Sequence, residues 1–178
     1  MENTTIQHNV KTDLPYQEEE SLVFLKPHVM LQDEQNGLTG MNSNTQKMIN
    51  EIGTTTVDGH PLKIVAHKLI WVTEEQLQKH YANIYDKPFF PEVREMMTEG
   101  PIMALIVSGN NAIQAMVEIA GPTYTDVAIE EAPTSLRARN GVPGDKGRNS
   151  FHRSANKVDA QNELTNFFPK RAEAGQQN

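Results

Sequence analysis

The sequence predicts an α/β or α+β sandwich built on a small β-sheet. Between residues 21 and 169, segments rich in strand formers alternate with segments of helical periodicity. Residues 102–108 are an almost continuous apolar run, which is typical of a strand buried on both faces. Thr73 and Gln76 form a capping box directly after another strand-like run, and this pairing marks the start of a helix.

The remaining elements follow from apolar runs and from the residues that end them. Pro27 and Pro88 each end the element before them, because proline has no backbone N–H to donate. In chain order we predict strand 21–26, helix 46–52, strand 62–72, helix 73–85, a short helix within 88–100, strand 102–108, helix 110–120 and helix 158–168. Residues 28–45 are a polar stretch without an assigned element. Residues 121–147 are predicted to be a loop, and its length favours a functional role over a simple connection.

Both ends of the chain are polar, whereas the apolar runs lie between them. Residues 1–20 and 171–178 contain few side chains that could join a core. We therefore expect a flexible N-terminal extension over residues 1–20, one folded domain over residues 21–169 and a flexible C-terminal tail over residues 170–178.

Composition excludes several classes of protein. The 178 residues include 16 Lys and Arg against 23 Asp and Glu, so the formal net charge is −7 and no specific nucleic acid is expected as a partner. The chain has no cysteine, which excludes disulfides, thiolate zinc sites and cysteine nucleophiles. Neither a signal-peptide pattern nor a membrane-length apolar run is found, so we expect a soluble, cytoplasmic protein without a membrane partner.

Common nucleotide and metal motifs are also missing. The glycines between residues 141 and 147 lack the Gly-Lys-Ser/Thr of a P-loop, and no G-x-G-x-x-G follows a strand. The six histidines, at positions 8, 28, 60, 67, 80 and 152, show no ligand spacing, so we predict no protein metal site. His67 lies in a predicted strand and is interpreted as structural.

Positive charge is concentrated near the last quarter of the chain. The residues concerned are Arg137, Arg139, Lys146, Arg148 and Arg153. Such a segment suits a polyphosphate, although it could equally be a solvated basic loop. His152 lies within it and could be a phosphate donor, a general base or a nucleophile. Glu163, eleven residues later, could fold back to orient the imidazole ring.

A series of short motifs resembles the nucleoside diphosphate kinase family over most of residues 20–169. In order, they are Lys26-Pro27, Tyr81, Asp86-Lys87-Pro88-Phe89-Phe90, Gly100-Pro101, Gly121-Pro122-Thr123, Arg137, Gly147-Arg148-Asn149-x-x-His152-x-Ser154 and Glu163. The resemblance implies an α+β fold, a ferredoxin-like βαββαβ antiparallel sheet with added helices and a long loop. It also implies a Mg²⁺-dependent ping-pong kinase that exchanges phosphate between nucleoside triphosphates and diphosphates and assembles as a homo-oligomer.

The resemblance also implies roles for individual residues. His152 would be the phosphorylated nucleophile, with Glu163 on its other ring nitrogen and Ser154 supporting Glu163. The nucleotide would contact Lys26 and Asn149 at the sugar and phosphate, Tyr81, Thr123 and Arg137 at the phosphates, Phe89 at the base, and Arg148. Without the resemblance, Phe89, Phe90 and Tyr81 could equally pack in the core, Thr123 form a turn and Lys26 be solvated.

The sequence departs from the family pattern at several positions. Val117 stands where the family usually has a second phosphate-binding arginine, and Arg153 stands where it has a small residue. His28 and Ala155 replace acidic residues, residues 33–44 form an insertion, and the loop between residues 137 and 148 is about two residues longer. We hypothesise that Arg153 partly replaces the missing arginine. A weakly active nucleotide-binding or regulatory relative, and a scaffold with an acidic N-terminal arm, remain alternatives.

Overall fold

Strands and helices alternate along the chain in a computed structural model that describes residues 5–174. The strands are β1 (Asn9–Val10), β2 (Glu18–Leu25), β3 (Thr56–Val57), β4 (His60–Pro61), β5 (Lys63–Ile70), β6 (Ile102–Asn110) and β7 (Phe151–Arg153). The helices are α1 (Pro27–Gln35), α2 (Asn44–Gly53), α3 (Glu74–His80), α4 (Phe90–Thr98), α5 (Ala112–Ala120), α6 (Thr125–Glu131), α7 (Leu136–Asn140), α8 (Lys157–Phe167) and α9 (Pro169–Ala174). Gly40–Asn42 form a 3₁₀ turn between α1 and α2.

The central sheet has the strand order β5-β6-β2-β7, and each neighbouring pair is antiparallel. Reading β2, the α1–α2 pair, β5, β6, α5 and β7 along the chain gives βαββαβ, the ferredoxin-like arrangement. The predicted α+β fold class is therefore confirmed. A smaller sheet, in the order β1-β3-β4, lies outside this frame.

Alternation along β2 produces two layers of core. Leu22 and Phe24 pack on one face of the sheet with residues of α3, α4 and α8. Val23 and Leu25 pack on the other face with residues of α2 and α5. All four side chains are fully buried. Because both faces of the sheet are covered, the side chains of β2 contribute to the core on both faces.

The capping box predicted at Thr73 is present at the start of α3. The Gln76 amide donates to Thr73 Oγ1 at 3.2 Å, and the Thr73 amide donates to Gln76 Oε1 at 3.0 Å. The helix ends at His80 rather than at residue 85, and Tyr81 is its C-cap.

Apart from Pro27, helix α1 lies within residues 28–45, where the sequence predicted no helix or strand. Its first turn begins with Pro27, and two of its polar residues, His28 and Asp33, are buried. His28 Nε2 accepts from the Ser150 amide at 2.9 Å, so one of its ring nitrogens is paired with a residue far along the chain. Because its buried face is partly polar, the helix has no clear apolar stripe that sequence periodicity could reveal.

The predicted loop over residues 121–147 was also wrong in part, because it contains α6 and α7. These helices have 7 and 5 residues, too few for a helical period to be recognised. The Ser135 hydroxyl accepts from the Ala138 amide at 3.3 Å and caps α7. Strand β7 was missed for the same reason, since it has only 3 residues.

The predicted boundaries of the domain fall inside elements. Residue 20 lies within β2, and residue 170 lies within α9. Ahead of β2, β1 pairs in parallel with β3, and the Thr12 hydroxyl donates to Asp58 at 2.6 Å. Residues 1–4 and 175–178 of the predicted flexible ends lie outside the described residues, and the three-part division stays a prediction. Within residues 5–174, no helix combines the length and the apolarity needed to cross a bilayer.

The insertion over residues 33–44 is closed by hydrogen bonds at the start of α2. Asp33 accepts from the amides of Asn44 and Thr45 at 2.7 and 2.9 Å, and from the Thr45 hydroxyl at 2.6 Å. Ser43 Oγ accepts from the Gln46 amide at 3.1 Å. A carboxylate at this position also interacts favourably with the helix dipole.

We predict that Asp33→Ala lowers the free energy of unfolding by about 1–2 kcal/mol, the usual range for loss of a helix N-cap. Urea denaturation followed by circular dichroism measures the change. The matched control is Glu34→Ala, which removes the neighbouring exposed carboxylate and should change stability by less than about 0.5 kcal/mol. Equal losses in the two variants would contradict the capping role of Asp33.

Candidate active site

His152 is positioned by the pairing of β7 with β2. It lies opposite Phe24 in the register, and its ring stacks on the Phe24 ring with 4.8 Å between centroids. Alternation along β7 places Phe151 in the core on the opposite face of the sheet. The preceding residue, Ser150, has a φ of +74°, and the turn is held because its carbonyl accepts from the Lys26 amide at 2.9 Å. A strained, hydrogen-bonded turn therefore delivers the histidine to the sheet edge.

Glu163 approaches the imidazole ring from α8. Its Oε1 lies 3.0 Å from His152 Nε2, although the two atoms are not aligned as a hydrogen bond. The Ser154 hydroxyl donates to the other oxygen, Oε2, at 2.7 Å, and accepts from the Leu22 amide at 3.0 Å. The structure thus brings Glu163 to His152 and Ser154 to Glu163, as the resemblance implies. Since Nε2 faces Glu163 and is buried, Nδ1 is the nitrogen left for a reaction.

The charges around His152 keep its ring neutral. Burial lowers the pKa of His152 well below its ordinary value, and the positive charges of Lys26, Arg153 and Arg137 lower it further. Burial raises the pKa of Glu163, against the opposing effect of the Ser154 hydrogen bond. The contact between the two side chains is therefore one between a neutral imidazole and a carboxyl group, not an ion pair.

His80 is a member of the site that sequence reasoning missed. Its ring meets that of His152 edge-on, with centroids 4.5 Å apart, and also packs against Phe24 and Phe167. Burial lowers the pKa of His80 to about 3. The only signal in the sequence was its position directly before Tyr81, which by itself indicates no chemistry.

Lys26 lies at the end of β2, where its ammonium group is buried. Its Nζ donates to the Gly147 carbonyl at 2.8 Å. Burial, and then the charge of Arg137, lower the Lys26 pKa to about 7, while Asp145 opposes the shift. The lysine is therefore not a solvated residue at a strand end.

Asn149 and Thr123 lie together, because Asn149 Nδ2 donates to the Thr123 carbonyl at 2.8 Å.

Tyr81 is the C-cap of α3 and packs edge-on against Phe90. Burial and the charge of Glu163 raise the Tyr81 pKa, so its hydroxyl stays protonated and can donate. Phe89 and Phe90 differ in exposure: 50% of Phe89 is exposed but only 1% of Phe90. Phe90 is thus a core residue, and Phe89 is free to stack on a base.

The arginines of the basic segment divide into two groups. Arg148 is paired with Glu99 at 2.6 Å and with Asp145 at 3.0 Å, so two carboxylates already hold its guanidinium. Its predicted contact with a nucleotide stays a prediction. Arg137 instead donates to the carbonyls of Gly121 and Phe151 at 3.2 and 3.1 Å, which leaves its positive charge without a carboxylate in these contacts.

Buried polar atoms without a partner are concentrated at this site. Among the described residues, the side-chain atoms in question are His28 Nδ1, His80 Nδ1, Thr125 Oγ1, Arg137 Nε, Asn149 Oδ1, Ser150 Oγ, His152 Nε2 and Arg153 Nε. Buried polar groups in folded proteins are almost always hydrogen-bonded. A ligand with several acceptor oxygens would supply partners for the nitrogen donors of this set.

A cavity of about 1190 Å³ lies between α3 and α8, beside His152. Its walls include His80, Tyr81, His152, Asp159 and Glu163. The other residues predicted to bind the nucleotide are not part of its lining. Arg137 lies on α7, Lys26 directly follows β2, and the others lie in segments between elements, so the candidate site extends beyond this cavity.

Within residues 5–174, one group of three side chains could ligate a metal ion, namely His80, His152 and Glu163. Two of its three donors are imidazole nitrogens, whereas Mg²⁺ prefers oxygen ligands. This group does not fit Mg²⁺.

Two of the positions that depart from the family pattern, Val117 and Arg153, lie on elements that pack against or pair with β2. Val117 is a partly buried residue of α5, a helix that packs against β2 and β7. The Arg153 guanidinium is partly buried, and this burial lowers its pKa while Glu163 opposes the shift. By contrast, His67, interpreted as structural, is exposed on the edge strand β5.

Comparison with known proteins agrees with this fold. The family described as "Nucleoside diphosphate kinase" matches residues 19–172. A nucleoside diphosphate kinase of Thermobifida fusca is 34% identical over 151 residues, covering 85% of this chain and 97% of its own. The chain belongs to the nucleoside diphosphate kinase family. It is thus a kinase, a transferase that binds nucleotides.

Two solved structures extend the comparison. The nucleoside diphosphate kinase of Aquifex aeolicus superimposes with a TM-score of 0.70 and 31% identity, covering 85% of this chain and 96% of its own. The enzyme of Halobacterium salinarum, solved in complex with CDP, superimposes with a TM-score of 0.65 and 27% identity, covering 85% and 88%.

We predict that ADP affinity falls as the pH rises above 7, by up to about tenfold per pH unit, because Lys26 loses its proton near pH 7 while a bound phosphate favours the charged form. Isothermal titration calorimetry between pH 7.5 and 9 measures this. Lys26→Arg keeps its charge over this range and should remove the slope. Equal slopes in the two proteins would contradict the assignment to Lys26.

Proposed function

We propose that this chain is a nucleoside diphosphate kinase that transfers the terminal phosphate of a nucleoside triphosphate to a nucleoside diphosphate through a phosphohistidine at His152. One observation carries the proposal: a neutral, buried His152 whose Nε2 faces Glu163, next to a group of buried cationic nitrogens without partners. The CDP complex of the Halobacterium salinarum relative supports nucleotides as the substrates.

The geometry supports an attack by His152 Nδ1 on the terminal phosphorus. With the proton on Nε2, the Nδ1 lone pair forms the N–P bond while the P–O bond to the leaving diphosphate breaks. The ring then carries a positive charge, which the Glu163 carboxylate stabilises at Nε2, and Ser154 holds that carboxylate in place. A second diphosphate reverses the step, so the proposed mechanism is ping-pong.

The positive side chains near the ring would stabilise the phosphates. Lys26, Arg137 and Arg153 are close enough to lower the pKa of His152, so they are close enough to attract a transferring phosphoryl group. Tyr81 and Asn149 would add neutral hydrogen-bond donors, and Thr123 would lie beside the phosphates. Phe89 would stack on the base without reading its edge.

Mg²⁺ remains part of the proposal as the ion carried by the nucleotide, where it neutralises phosphate oxygens. The proposed homo-oligomer is supported by the edge strand β5 and the residue after it, which leave Val65, Leu69 and Trp71 between 47% and 65% exposed. Large apolar side chains of this kind on an unpaired edge are typical of an interface.

A catalytically weak, nucleotide-binding relative with the same fold is the second candidate function. Val117 favours it, because an aliphatic side chain on α5 cannot provide the second phosphate contact. The retention of the His152, Glu163 and Ser154 contacts favours the enzyme.

We predict that incubation with labelled ATP and Mg²⁺ leaves one phosphate on His152 that is labile in acid and stable in alkali, as expected of a phosphoramidate. Phosphorylation of the full chain, followed by acid and alkali treatment, measures it. His67→Ala, which removes an exposed histidine of β5, should label like the wild type. Label that persists in His152→Ala would refute the proposed nucleophile.

We predict that Arg153→Gly lowers kcat/KM by about 10- to 100-fold, the effect of losing one charge-assisted phosphate contact. Steady-state transfer from ATP to a second nucleoside diphosphate measures the change. Adding Val117→Arg should restore part of the loss, since it returns a guanidinium to the family's usual position. Higher turnover in Arg153→Gly would show that the arginine obstructs the site and would favour the weakly active relative.

A further inference from the structure

His80, His152 and Glu163 converge on one point of the cavity wall between α3 and α8. One ligand atom from each side chain can be chosen so that all three lie within 4.8 Å of one another. In one pair of this group, His152 Nε2 and Glu163 Oε1, the atoms are 3.0 Å apart. All three residues line the cavity, so an ion entering from solvent can reach them.

One ring nitrogen of each histidine, His80 Nδ1 and His152 Nε2, is buried and has no hydrogen-bond partner among the described residues. Burying a polar atom without a hydrogen-bond partner destabilises the folded state, so two such atoms on adjacent histidines call for a partner. The Ser154 hydroxyl binds the far oxygen of Glu163 and so orients the carboxylate, as outer partners do for metal ligands.

We propose that His80, His152 and Glu163 bind a transition-metal ion such as Zn²⁺, and that this ion competes with phosphorylation of His152. Two imidazole nitrogens and one carboxylate are a known donor set for zinc, with a fourth position left open to water. Ligands of a tetrahedral zinc ion lie roughly 3.3 Å from one another, from bonds of about 2.0–2.1 Å. The donor atoms lie within 4.8 Å of one another in the metal-free chain, and those farther apart than that spacing would move closer together to reach it.

The competition follows from the chemistry of the imidazole ring. A neutral imidazole has one nitrogen with a free lone pair and one that carries the proton. A metal ion on Nε2 forces the proton onto Nδ1, which then cannot attack phosphorus. Conversely, a phosphoryl group on Nδ1 leaves the proton on Nε2, where a metal ion would bind. Metal binding itself does not depend on the proposed function, but this competition does.

The metal site is tested by titrating Zn²⁺ into the nucleotide-free full chain in a calorimeter. We expect saturable binding of one ion, weakened at least about tenfold in His80→Phe, since even loss of an outer partner weakens a metal site 10- to 100-fold. Phenylalanine keeps the packing of the ring against Phe24 and Phe167. The matched control, His67→Phe on β5, should bind like the wild type.

Unchanged zinc binding in His80→Phe, or no saturable binding by the wild type, would overturn the metal site. Circular dichroism and thermal midpoints show whether each variant folds. If His80→Phe does not fold, Glu163→Gln provides the second variant, and zinc binding equal to the wild type would again overturn the site.

The competition is tested by labelling His152 from ATP in excess Mg²⁺, with and without Zn²⁺. We expect the labelling rate of the wild type to fall in proportion to zinc occupancy. In His80→Phe, the labelling rate with zinc should equal the rate without zinc. This comparison also controls for zinc that binds ATP instead of the protein. Full labelling of the zinc-saturated wild type would overturn the competition. If no label forms even without zinc, the proposed function fails, while the calorimetric titration still decides the metal site.

Discussion

The pairing of β7 with β2 is the constraint on which the site depends. β7 has only 3 residues, and its register places His152 opposite Phe24. A slip of one residue would turn the imidazole to the other face of the sheet, away from α3 and α8. Lys26 follows β2 directly, and its amide donates to the Ser150 carbonyl two residues before His152. One strand pair thus sets where His152, the proposed nucleophile, lies relative to the buried Lys26.

Burial of positive charge is the second physical feature of the site. In a chain with a net charge of −7, Lys26, Arg137 and Arg153 are buried or partly buried close to one neutral histidine. Burial lowers the pKa of Lys26 to about 7 and that of Arg137 to about 10, which shows that the folded chain alone stabilises these charges poorly. A phosphate would relieve both the repulsion and the lost solvation. The same charges keep His152 unprotonated, which is the state a nucleophile needs.

A separate ion cluster ties the N-terminal segment to the rest of the domain. Glu51 of α2 accepts from Arg139 of α7 through two nitrogens, and lies 3.2 Å from His8 Nε2. Burial raises the pKa of Glu51, but the hydrogen bonds from His8 and Arg139 outweigh it and hold the pKa below its ordinary value. Arg139 belongs to the basic segment yet serves this cluster. Membership of a charged segment therefore does not identify a phosphate ligand.

The sequence by itself determined the elements with strong local signals and the order of the site motifs. Strand β6 is apolar from Ile102 to Val107, and α3 begins with a capping box, so both were recognised from neighbours within a few residues. Only the tertiary structure decided α1, whose buried His28 accepts through Nε2 from Ser150, 122 residues away. It also decided the site itself. Contacts between distant segments decide three features of the site: Phe89 is exposed, Arg148 is paired with two carboxylates, and His80 meets His152. Burial and hydrogen bonding between such segments leave no periodic pattern in the sequence, because each depends on the packing of the whole chain.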